Sequence, residues 1–103
     1  MKKTNELKTL IPHLGYCFAT NLVIEKRKVG YMYREQSEDE NDSGWRFFSG
    51  TEDQDYVDNP NNTKIYDVNT IANYDPSIIP YLISEIGHVL KRGNNDSFMQ
   101  VEE

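Results

Sequence analysis

A single cysteine, Cys17, stands among 103 residues. It cannot form an intramolecular disulfide, and the Cys-rich zinc patterns lack their ligands. No apolar run is long enough to cross a bilayer. Lys2 and Lys3 open the chain, but no apolar stretch of signal-peptide length follows them, so the expected compartment is the cytoplasm. The Asn-x-Ser/Thr sites at Asn41, Asn61 and Asn95 carry no glycosylation meaning there. Gly44, Gly50 and Gly93 are isolated turn glycines and build no loop that would cradle a phosphate.

What is present bounds a single domain over 1–103. Only 37% of residues are hydrophobic, but seven Tyr, four Phe and one Trp bury much area per residue, so a small core suffices. The net charge of −6 is unevenly placed. Between Glu35 and Asp58 nine acids face one base, Arg46, for a local charge of −8, and the rest of the chain is +2. Such a segment repels nucleic-acid phosphates and anionic lipid and attracts a basic protein surface. Solvation of loops is its other reading.

Spacing predicts a short helix over Thr4–Leu14, stopped near Pro12. Tyr16–Ile24 reads as a strand with one buried face, with Tyr16, Phe18, Leu22 and Ile24 at even spacing. Glu25–Lys28 is a turn, and Val29–Gln36 alternates, with Val29, Tyr31 and Tyr33 on one face and Met32 and Arg34 on the other. These two strands are expected to form a hairpin. After an acidic loop, Trp45–Phe48 is a short aromatic strand. Thr51–Gln54 has capping-box spacing for a helix from Glu52 to Val57. Lys64–Val68 is a strand, Asn69–Asp75 fits a turn or a short strand, and Asp75-Pro76 starts a helix that Pro80 distorts. His88–Arg92 and Ser97–Val101 form a terminal hairpin about a Gly93–Asp96 turn. The expected fold class is α+β, a single small domain with a mainly antiparallel sheet of hairpins and two or three short helices.

Candidate chemistry is sparse. Asp39–Gly44 opens like a calcium loop, but Gly50 stands where the twelfth-position Glu belongs. Cys17 with His13 or His88 offers a thiol and a base, yet Cys17 lies in an apolar strand pattern where a buried, inert thiol is usual. The acids sit in polar loops, without the burial that raises one carboxyl for acid catalysis. No catalytic, cofactor or metal residues are assigned. Interface hot spots favour Trp, Tyr and Arg. Glu38, Asp39, Glu40 and Asp42 with Trp45, Arg46 and Tyr56 therefore form a candidate partner-binding set, an aromatic anchor with an acidic rim. Packing in the core is the other use of a lone Trp.

Three blocks then stand out: Val29–Glu35 (VGYMYRE), Asp42–Gly50 (DSGWRFFSG) and Ile65–Pro76 (IYDVNTIANYDP), with Gly15–Asn21 as an opening strand. Together they resemble a bacterial domain-of-unknown-function family grouped with polymorphic-toxin immunity proteins, class thirty-three. The resemblance covers about 15–92 and leaves 1–14 and 94–103 outside it. It implies an α+β fold and a protein that binds and neutralises a cognate toxin, without cofactor or catalysis. The expected partner is a protein, a basic toxin, with no nucleic acid and no membrane; the oligomeric state is open. A housekeeping or regulatory interaction module and a small hydrolase using Cys17 are the alternatives.

Overall fold

The computed structural model describes residues 8–93 and 97–101. Six strands are present: β1 (Tyr16–Thr20), β2 (Tyr31–Arg34), β3 (Asp42–Phe48), β4 (Thr63–Asp67), β5 (Val89–Arg92) and β6 (Phe98–Val101). Three short α-helices, α1 (Asn21–Lys26), α2 (Gln54–Asp58) and α3 (Val68–Tyr74), accompany 3-10 segments at Pro60–Asn62 and Pro76–Tyr81. The class is α+β. The strands make one sheet in the order β4-β1-β3-β2-β5-β6. Only β1 and β3 pair in parallel; the other four pairings are antiparallel.

The expected hairpin of the first two strands does not form, because β3 lies between them. The first strand stops at Thr20, whose hydroxyl donates to Glu52 at 2.5 Å, and the chain turns into α1. Even spacing of Leu22 and Ile24 imitates a continuing strand. In α1 the buried residue is Val23, between them, so the strand alternation does not continue past Thr20. Arg27, in the left-handed region at φ 53°, closes the helix.

Asn69–Asp75 is neither turn nor strand: 68–74 is α3, with Val68, Ile71 and Ala72 buried at helical spacing. Asp67 caps it by accepting from the Asn69 N–H at 2.9 Å. Of the helix expected over Thr4–Leu14, residues 1–7 lie outside the described residues, and 8–14 are not helical. Instead Asn73 and Asn69, one turn apart on α3, accept from the backbone N–H groups of Lys8 and Leu10 at 2.9 and 2.8 Å. Both amides also donate to the Lys8 carbonyl. Side chains of another element satisfy that backbone, and Ile11 is anchored in the core.

The helix after Gly50 begins later than the capping-box spacing suggests. Asp53, not Thr51, is the cap, accepting from Tyr56 N–H at 2.9 Å. Glu52 reaches back to the Ser49 and Gly50 N–H groups at 2.8 and 3.0 Å. The Asp75-Pro76 start holds, as a 3-10 helix containing Pro80. β5 and β6 form the terminal hairpin, and the Gly93 N–H donates to the Ser97 carbonyl at 2.8 Å. Three residues of its turn, 94–96, lie outside the described residues.

One face of the sheet carries Cys17, Ala19, Met32, Trp45, Phe47 and Leu90, all buried. Val23 of α1, Val68, Ile71 and Ala72 of α3, and Ile78 and Leu82 complete this core. Trp45 stacks on Phe47 at 5.9 Å between ring centroids. The strand alternation is thus the reverse of the reading that buried Tyr16 and Phe18.

Candidate protein-binding face

The alternate residues of the same strands point to the other side of the sheet. Pairing places Ile65, Phe18, Arg46, Tyr33, Val89 and Val101 in one row across all six strands. A neighbouring row holds Phe48, Tyr31, Lys91 and Met99. Tyr33 and Phe48 stack at 5.8 Å and 18°, and Tyr31 meets both rings at 6.0 and 5.8 Å. Ile65 and Met99 are 60% and 61% exposed, values that a covered sheet face would not leave. Val57 of α2 borders the face. Beside it a groove of about 510 Å³ runs past Tyr31, Phe48, Lys91 and Val101, and a recess of about 260 Å³ lies among Phe18, Tyr33, Glu35 and Glu38.

At one end of this face sits a polar node built from Asp42-Ser43-Gly44-Trp45-Arg46. Asp42 accepts two N–H groups of the Arg46 guanidinium, at 3.0 and 2.8 Å, and the backbone N–H groups of Glu38 and Gly44. The Ser43 hydroxyl donates to the Tyr16 carbonyl and accepts from Trp45 N–H, tying β1 to β3 where their register shifts. Gly44 has φ +88°, and a Cβ there would run into the Glu35 carbonyl, so this irregular stretch needs glycine.

Charge at the node is largely internal. Hydrogen bonds from Arg46, with those from Glu38 and Gly44, hold the Asp42 carboxyl well below the usual range despite its desolvation. Burial works against the charge on Arg46, and the bonds to Asp42 and Glu35 outweigh it, keeping the guanidinium protonated. Arg46 also lies over the Phe18 ring at 4.5 Å and meets Glu35 at 2.7 Å. Asp39 accepts from the Tyr16 hydroxyl at 2.9 Å. Burial, then that bond and the Asp39 charge, push the Tyr16 phenol up to about 12.

The structure divides the sequence-predicted binding set. Glu38, Asp39 and Glu40 are exposed at the margin of the open face. Asp42 and Arg46 are adjoining but buried, at 5% and 4% exposure. Trp45 is at 0% and lies on the opposite, covered face, where it presents nothing to a partner. Tyr56 is half-buried, and burial raises its pKa, with a contribution from Glu25 of α1. The aromatic members of the open face, Phe18, Tyr31, Tyr33 and Phe48, were absent from that set. Their signal was the alternation of Tyr16 with Phe18 and of Tyr31 with Tyr33, a period that groups residues on a face but does not say which face is covered.

Cys17 is fully buried, and desolvation pushes its thiol far above the ordinary value, so the thiolate needed for nucleophilic attack is suppressed. The carboxylates of the calcium-like loop already have partners: Asp39 accepts from Asn41 N–H and Tyr16, and Asp42 is held in the node. Among the described residues no helix is long and apolar enough to cross a membrane.

The model of the immunity protein Imm33 domain matches residues 17–102. No curated protein and no solved structure matches the chain. The matched span begins two residues after the start of the resemblance read from the sequence and runs beyond Arg92 to take in β6. It covers every element from Cys17 of β1 onward, and the chain belongs to the immunity protein Imm33 domain family.

Proposed function

We propose that this protein is a non-catalytic immunity protein that binds a cognate bacterial toxin in the cytoplasm and blocks it by occlusion, without a cofactor. The observation that carries the reading is the uncovered, ring-lined face of the sheet with Glu38, Asp39 and Glu40 at its margin. A face of this composition fits a protein surface better than a small substrate, because its recesses are shallow and open. The −8 segment complements a basic toxin and raises its encounter rate. Membership of the family supports a protein partner, and the buried, protonated Cys17 speaks against a thiol hydrolase.

The test is co-expression with the toxin encoded beside this gene. The reading requires cells carrying the toxin to grow only when this chain is also expressed. It also requires the purified chain, at equimolar amount, to abolish the toxin's activity in vitro. Toxin activity unaffected by excess chain would overturn it.

A further inference from the structure

We infer that the recess between Phe18, Tyr33, Glu35 and Glu38 receives an arginine side chain of the partner. This deepens the immunity reading by naming the chemistry of the contact, and it rests on that reading for the biological identity of the partner.

Two features of the recess select its occupant. Aromatic walls come from Phe18, Tyr33 and Phe48, and the recess of about 260 Å³ has room for one long side chain rather than a folded segment. Its charge is unbalanced: among its lining residues Glu35 and Glu38 stand against the single guanidinium of Arg46, which the buried Asp42 already neutralises. Arg46 occupies Asp42 and one oxygen of Glu35. The Glu38 carboxylate has no ion pair among the described residues, and there Arg46 hydrogen-bonds Glu35 through one oxygen, Oε2.

A flat, weakly hydrated guanidinium stacks on rings and takes carboxylates through a fork of N–H donors, whereas an ammonium does neither as well. Arg46 shows that this neighbourhood supports such bonding, since it lies over Phe18 and binds Asp42 through two N–H groups. The incoming arginine repeats that arrangement one layer further out, with Glu38 and the other oxygen of Glu35 as acceptors. Repulsion by Arg46 is offset by Asp42 behind it. Exposure of Glu38 keeps its desolvation cost below that of a buried pair.

The test needs no toxin. The isotopically labelled chain is titrated, with amide shifts followed by NMR, against three blocked tripeptides, Gly-Arg-Gly, Gly-Lys-Gly and Gly-citrulline-Gly. The inference expects saturable shifts at Phe18, Tyr33 and Glu38 with the arginine peptide. Binding should be at least threefold weaker with lysine and at least tenfold weaker with citrulline. Glu38→Gln, an exposed change, should weaken the arginine peptide at least threefold, while Asp55→Asn and Asp58→Asn on α2 change it less than twofold. Equal responses to arginine and lysine, or shifts spread over the α2 acids, would overturn it. Toxin neutralisation with a non-selective recess sinks this inference alone. A selective recess in a chain that protects no cell leaves the inference standing and sinks the immunity reading.

Discussion

Neighbouring residues of β3 live in different surroundings. Trp45 and Phe47 lie at 0% exposure beneath the helices, while the buried Arg46 and half-buried Phe48 stand on the side over which, among the described residues, no helix layer closes. The covered face is held by packing of apolar side chains. Its counterpart is held by ring stacking and a charged node, and it keeps Ile65 and Met99 largely in solvent. The two faces thus divide the work, one giving stability and the other surface. A substitution should cost folding on the first and binding on the second, which is open to direct attack.

The largest effect is expected at Trp45. Trp45→Ala empties the centre of the covered face and should cost about 3–5 kcal/mol, as large-to-small core changes do. Tyr33→Ala, on the half-buried side, should cost only about 1 kcal/mol, given its partial exposure. Urea unfolding followed by far-UV circular dichroism separates the two, and equal losses would erase the distinction between the faces. The Trp45 indole Nε1 is buried without a hydrogen-bond partner among the described residues. Leaving such a donor unmet costs about 1–3 kcal/mol, so Trp45→Phe, which removes it, should be tolerated far better than the alanine change.

Asp42 comes next. Its replacement by Asn leaves Arg46 buried with only Glu35 as a carboxylate partner, and breaking a buried pair in this way costs about 3 kcal/mol. The pH dependence follows in sign. The Asp42 pKa is lowered by folding, so its contribution is complete above the unfolded value of about 3.9 and is lost as pH falls below it. The parent chain should lose stability steeply on acidification below about pH 4, the ordinary carboxylate range, and Asp42→Asn should flatten that slope. Unfolding free energies measured from pH 6 to pH 2.5 check it. A slope unchanged by the substitution would show that other carboxylates carry the acid sensitivity.

Several elements were legible in the sequence, but which face the helices cover was not, and the missing parts have physical causes. Alternation in 29–36 identifies β2, and Asp75-Pro76 marks a helix start because its cap chemistry is local. Pairing is not local. β3 enters between β1 and β2 by pairing with both, and Ser43 adds a bond to Tyr16, 27 residues away in the chain. α3 was obscured by β-branched residues and asparagines, yet Asn69 and Asn73 serve to hold the segment from Lys8 to Leu10. Within the Asp42–Gly50 block of the family resemblance, Asp42–Arg46 is mostly a structural joint, and of the two readings of Trp45, anchor or core, the core one holds. Glu38, Asp39 and Glu40 needed only local polarity to be recognised as exposed.

The smallest effect on folding, and the most selective on binding, belongs to those three acids. Glu38→Gln, Asp39→Asn and Glu40→Gln together should change stability by no more than about 0.5–1 kcal/mol, because their contacts are at the surface and, among the described residues, only the Asp39 side chain holds polar partners. Asp42 is excluded from the set, since neutralising it would confuse a folding defect with a binding one. Long-range attraction depends on charge rather than fit, so the triple variant should slow association with a basic toxin about tenfold at low salt. Screening should bring the parent and variant rates together as ionic strength approaches about 0.5 M. Stopped-flow association at four salt concentrations reads both effects. If the variant instead associates normally and dissociates faster, the acids act within the closed interface, and the open face extends to the loop that carries them.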